Sequence, residues 1–189
     1  MTTASVFESG DTGTAIAGII ASGDVSVDHL SHDGVVGTAS SDIVVLAERY
    51  FVVHNIDRCA DEVIGKAVVD IANSLNSDRF GSLVVPSGTS AAVDLAAALA
   101  VLHVLKAFET TFAAAIGTNV VGPKRSTVIT TENGTGDKAT SSTAITNDGG
   151  AMDVGPVDCL HKLEAVGFFQ LTPGRSGGIS GPGGFAIVG

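Results

Sequence analysis

The stretch 90–117, SAAVDLAAALAVLHVLKAFETTFAAAIG, is the longest apolar run in the chain, and any fold must first find cover for it. Alanine and leucine dominate it, and neither proline nor an internal glycine interrupts it, so propensity predicts one long helix. Thr89 or Ser90 can accept hydrogen bonds from the first free amides. Asp94 sits near the positive end of the dipole, and Gly117 offers a left-handed stop. His103, Lys106 and Thr110 fall three or four apart and share one narrow polar strip. The rest of the cylinder is apolar, which predicts a helix covered on most sides and about 40 Å long. Asp94, His103, Lys106 and Glu109 would all be costly in lipid, which argues against a membrane span.

A second helix is predicted over residues 58–76. Ala60, Val63, Ile64, Ala67, Val68, Ile71, Ala72 and Leu75 recur at helical spacing, opposite Asp61, Glu62, Lys66, Asp70 and Asn73. Shorter elements surround these two. Residues 4–7 read as a strand, 10–13 as a turn, and 14–21 as a short helix closed by Ser22, Gly23 and Asp24. Residues 25–37 read as loop with a short strand, and 42–54 are compatible with strand or helix. Residues 80–85 and 125–131 read as strands, 157–166 as a short helix, and 167–171 as a strand. Residues 132–150, polar and punctuated by glycine, form a long loop or β-arm. Residues 172–184 read as a glycine- and proline-rich linker, ahead of an apolar tip at Phe185, Ala186, Ile187 and Val188.

The fold class expected from this order is α+β: a mixed or antiparallel sheet covered by two main helices, about 58–76 and 90–116. The division expected is one domain over 1–171 and a flexible tail over 172–189.

Charge narrows the functional classes. The chain of 189 residues carries a net charge of −10, and its basic residues cluster locally only at Lys124 and Arg125. Neutralising phosphate needs basic patches, so direct nucleic-acid binding and docking on anionic membranes are not expected. Charged residues make up 16%, a low share for a monomer's surface, which suggests that copies of the chain cover one another. Met1, Thr2 and Thr3 show no positive leader, and Cys59 and Cys159 make no disulfide framework, which points to the cytoplasm or an assembled particle. A Cys59–Cys159 bridge would require an oxidising compartment.

The chemical inventory is thin. His29 and His32, flanked by Asp28 and Asp33, have the spacing of a metal pair if helical, but they are read as solvated loop side chains. His54, Asp57 and Cys59, and separately Asp158, Cys159 and His161, would make a metal site or thiol–imidazole pair only if the segments met. His54, Cys59 and His103 are the catalytic candidates. The glycines near 134–137 and 174–178 lack the lysine and following helix of a phosphate loop. Ser87, Gly88, Thr89 and Ser90 follow an expected strand and open the central helix, so their amides could hold an anion, although ordinary capping explains them as well.

These features favour a non-enzymatic, self-assembling structural subunit, such as a phage-type virion, tail-tube or shell protein. It would have itself as partner, no cofactor, and contacts through Phe185, Ala186, Ile187 and Val188. The alternative is a small oligomeric α+β enzyme acting on a polar or anionic metabolite at a site between subunits. A scaffold or binding module without chemistry is a third reading.

Overall fold

Two buried faces on one sheet explain where the apolar residues go. The computed structural model describes residues 1–7, 10–30, 40–47, 63–74, 82–85, 88–99, 103–133, 150–155, 159–175, 177–178 and 186–187. Strand β1 (Thr2–Phe7) leads into helix α1 (Asp11–Ala21) and returns as β2 (Val25–Leu30), parallel to β1. Strand β3 (Ile43–Leu46) then pairs with the other edge of β1, and β4 (Ala67–Asp70) pairs with β3, both in parallel. Helix α2 (Ala91–Leu99) precedes β5 (Val104–Lys106), which pairs in parallel with β4.

Helix α3 (Ala113–Thr118) follows, then a small hairpin of β6 (Val120–Val121) and β7 (Lys124–Arg125). Strand β8 (Val128–Asn133) pairs antiparallel to β5, and β9 (Ala151–Asp153) pairs in parallel with β8. Helix α4 (Leu160–Arg175) closes the fold. Among the described residues the main sheet has seven strands, in the order β2-β1-β3-β4-β5-β8-β9.

Alternation along the strands sorts the core into two layers. Ala4, Val6, Ile43, Val45, Val69 and Leu105 face one side, where Ile16, Ile19 and Ile20 of α1 and Ile116 of α3 cover them. Phe7, Val44, Leu46, Val68 and Val104 face the other, where Ala92 and Leu95 of α2 and Leu160 of α4 lie. A strand buried on both faces reads as an unbroken apolar run, as IVVL does in β3. Polar residues enter this layer too: Ser5, fully buried, shares a 2.6 Å hydrogen bond with Ser41 Oγ.

The expected α+β arrangement is therefore replaced by a doubly wound α/β fold. The helix expected over 58–76 contains β4, because Val68 and Val69 are β-branched residues buried on opposite faces of the sheet, and Gly65 at φ +76° closes the preceding turn. Apolar residues in a doubly buried strand also satisfy a helical count over so short a window.

The helix expected over 90–116 divides into α2, β5 and α3, with Phe108 at φ +67° in the connection after β5. Its two ends are helical as expected, but its centre is strand.

Smaller corrections follow the same logic. Residues 11–13, expected in a turn, form the first turn of α1, and residues 167–171, expected as a strand, lie within α4. Helix α4 also takes in 172–175 of the expected linker, with Pro173 inside it. Strands were correctly expected at 4–7 and within 125–131, and 43–46 takes the strand alternative. Within 82–85 only Leu83 makes a strand-like bridge. The excursion at 134–149 lies outside the described residues, as do 48–62. Among the described residues no helix is long and apolar enough to cross a membrane.

Ile20, fully buried between α1 and the sheet, tests the layer assignment. Ile20→Ala is expected to lower the unfolding free energy by about 2–5 kcal/mol, measured by urea denaturation.

Candidate functional site

Strands β1 to β5 run parallel, so their carboxyl ends share one edge of the sheet. Two of these strands end in a charge: Asp70 closes β4 and Lys106 closes β5, directly opposite each other in register. Both side chains are fully buried. Lys106 Nζ donates to Asp70 Oδ2 at 2.9 Å and to the Ala72 carbonyl at 2.5 Å, and it pairs with Glu164 Oε1 at 3.4 Å.

Glu164 comes from α4 and is equally buried. Its Oε2 accepts from Ser74 Oγ at 2.8 Å, and its Oε1 accepts from the Ala91 backbone N–H at 2.9 Å. Asp70 Oδ1 accepts from the Ala72 N–H at 2.8 Å. Burial pulls the Lys106 ammonium down, but the charges of Asp70, Glu109 and Glu164 outweigh it and hold Lys106 above its ordinary range. The cluster thus ties β4, β5, the start of α2 and α4 through one ammonium.

The amino end of α1 lies at the same edge. Strand β1 has β2 on one side and β3 on the other, so the strand order reverses there; such switch points are where open α/β sheets bind ligands. The sequence here is Glu8-Ser9-Gly10-Asp11-Thr12-Gly13. Gly10 caps α1 in an extended conformation with no side-chain cap, and Gly13 is buried in the first turn. These two glycines match the second and third of a dinucleotide fingerprint, which let backbone amides approach a diphosphate and pack the helix closely. Glu8 stands where the first glycine would be, and the exposed Asp11 adds a negative charge to the first turn. Asp11 would oppose a negatively charged ligand at this turn.

A pocket of about 170 Å³ opens beside this turn. Thr12 of α1, Ile71 and Asn73 beyond β4, and Phe108, Glu109 and Phe112 beyond β5 line it. Gly167, Gln170 and Leu171 of α4 complete the wall. Gly167 permits this closeness, since a Cβ there would lie 2.8 Å from both Asn73 Oδ1 and the Glu109 carbonyl.

Glu109 is 5% exposed, and neither carboxyl oxygen has a hydrogen-bond partner. Burial, only partly offset by the Lys106 charge, pushes it up to about 8. It therefore holds a proton near neutral pH. Asn73 Oδ1 and Gln170 Oε1, on the same pocket, are also buried without partners.

Of the catalytic and metal candidates read from the sequence, those that are described, His29 and His103 among them, do not line this pocket. His103 precedes β5 at the opposite, amino edge of the sheet, where its carbonyl accepts from the Val68 N–H at 2.9 Å. His29 is exposed in β2, and His32 lies outside the described residues, as do His54, Cys59 and Ser87. Cys159 is a half-buried free thiol. No cluster of three metal-ligating side chains occurs among the described residues.

Ser90 caps α2, accepting from the Val93 N–H at 3.3 Å, and Gly88 at φ +89° makes the turn before it. The anion at this helix start is the chain's own Glu164. Of the apolar tip, only Ala186 and Ile187 are described, without regular secondary structure.

Sequence reasoning missed Asp70, Lys106, Glu109 and Glu164 as a group. A usable signal was present: VVD and VLK each end a short β-branched or aliphatic run with a charge, as buried parallel strands do at their carboxyl ends.

The sequence matches no protein-family model and no curated protein. The fold is shared with solved structures. A protein from Arthrobacter sp. FB24, named for F420-dependent NADP reduction, superposes with a TM-score of 0.82 over 100% of both chains at 18% identity. A reductive aminase from Aspergillus terreus, solved with NADPH and ethyl-5-oxohexanoate, gives 0.61 at 14% identity over 95% of this chain and 68% of its own. A glycerol-3-phosphate dehydrogenase from Coxiella burnetii gives 0.59 at 11% identity over 82% of this chain and 53% of its own. The fold is thus Rossmann-like. That likeness overturns the expectation of a virion, tail-tube or shell subunit, which rested on composition and on an α+β reading.

Two outcomes test the buried cluster. Lys106→Met strands the carboxylates of Asp70 and Glu164 and is expected to cost about 3–5 kcal/mol in urea unfolding. Glu109 binds its proton up to about 8 when folded but only to about 4.5 when unfolded. The folded state therefore holds more protons in that interval, and stability should fall as pH rises through it. Glu109→Gln should flatten this fall in unfolding curves taken across the interval.

Proposed function

We propose that the chain is an NAD(P)-dependent oxidoreductase, with Gly10 and Gly13 at the amino end of α1 holding the cofactor's diphosphate and the pocket under α4 taking the substrate. One observation carries this reading: α1 opens on those two glycines at the reversal of strand order, and Thr12 between them lines the neighbouring pocket. The full-length likeness to a protein named for NADP reduction supports it. Bound there, such a cofactor supplies or accepts a hydride.

The chain's own groups supply the setting. Phe108 and Phe112 give the pocket apolar walls, and Glu109 holds a proton beside it. Phe108 keeps φ at +67°, a strained conformation for a bulky residue and one that concentrates at ligand sites. Asp11 weakens the hold on a diphosphate and makes affinity sensitive to salt.

Isothermal titration of NADPH and of NADH checks this directly. Saturable binding of at least one is expected. Asp11→Asn is expected to tighten it about fivefold, the equivalent of about 1 kcal/mol. Absence of binding for both at millimolar concentration would overturn the reading.

A further inference from the structure

The pocket beneath α4 is walled by polar side chains whose hydrogen-bonding capacity is not met within the protein. Asn73 Oδ1, Gln170 Oε1 and both oxygens of Glu109 are buried without hydrogen-bond partners, and all three residues line it. Gln170 is 2% exposed and Glu109 5%, so solvent does not readily satisfy them. Leaving such groups unpaired costs about 1–3 kcal/mol each, which a ligand supplying donors would recover.

Charge adds a second, independent constraint. The groups facing Glu109 are Lys106 from β5, Asp70 from β4 and Glu164 from α4, so one ammonium stands among three carboxyl groups. Lys106 is already engaged by Asp70, Glu164 and the Ala72 carbonyl. The aromatic rings of Phe108 and Phe112 on the same wall suit a cation.

We propose that this pocket binds a ligand whose inner end is a cationic nitrogen bearing N–H groups, an ammonium, amidinium or iminium, with Glu109 as its counter-ion and Asn73 and Gln170 as acceptors. Glu109 gives up its proton to solvent as the cation enters, so a neutral carboxylic acid and a cation become an ion pair and one released proton. This rests on the reading of the pocket as the substrate side of the site, and it names the substrate class as an amine or its imine counterpart.

Benzamidinium and benzamide are matched in shape and differ in charge, which makes them the probes. Both are titrated calorimetrically into the nucleotide-free protein, in buffers of different ionisation enthalpy. Benzamidinium is expected to bind at least about tenfold more tightly than benzamide above about pH 8. Its affinity should fall about tenfold per unit as pH drops below that, with close to one proton released per ligand at about pH 6.5. Glu109→Gln should abolish the proton release and the pH dependence.

Equal binding of the two probes, or benzamidinium binding without proton release, would overturn the proposal. If Glu109→Gln does not fold, proton release by the native protein decides alone. NADPH titration is a separate measurement, so loss of the cation result with NADPH binding intact sinks this inference and spares the wider reading.

Discussion

Burying a single ammonium, that of Lys106, commits the rest of this structure to a narrow set of arrangements. An uncompensated charge in the interior would cost far more than one side chain's packing returns, so partners must come from wherever the chain can supply them. Here they come from the next strand through Asp70, from a loop carbonyl through Ala72, and from a distant helix through Glu164. The last of these reaches across the sequence to fasten α4 over the carboxyl edge. The same carboxylate also takes the Ala91 N–H at the start of α2. One ion cluster therefore sets the strand register at β4 and β5 and the seating of two helices.

That seating creates the pocket. Once α4 is drawn down by Glu164, Gly167 one turn later meets Asn73 and the Glu109 carbonyl at distances no side chain would tolerate. Beside this contact Glu109 is almost fully buried, and burial raises its proton affinity. Structure and chemistry are linked by a single step: the helix that completes the core also sets the protonation of the group beside the ligand space.

The sequence was legible where periodicity had one solution and misleading where it had two. Residues 14–21, with Ile16, Ile19 and Ile20 at helical spacing, read as a helix, and residues 4–7 read as a strand. By contrast, VVD and VLK sit within windows whose apolar counts also suit a helix, and a doubly buried strand lacks the alternation that would separate them. Asp70 was accordingly placed on a helix's polar face and Lys106 on a polar strip, while both are fully buried. The start of α1 was obscured differently. Glu8 takes the first position of the Gly-x-Gly-x-x-Gly spacing, and Gly10 and Gly13 stand out only once β1 precedes them and α1 follows. Glu164 and Gln170 carry no local mark at all, because their role depends on where α4 lands.

The two helices that open toward the carboxyl edge on either side of β3 and β4 are unlike at their starts. The first turn of α1 has no side-chain cap, whereas that of α2 is already met by Glu164. The dipole of α2 is met from within by Glu164, whereas that of α1 faces outward with only Asp11 set against it. The edge therefore has a direction, running from a helix start that attracts negative charge toward a wall of carboxyl and carbonyl oxygens that attracts positive charge. An elongated ligand with unlike ends has one favourable way round, and a molecule lacking either end loses its orientation as well as its contacts.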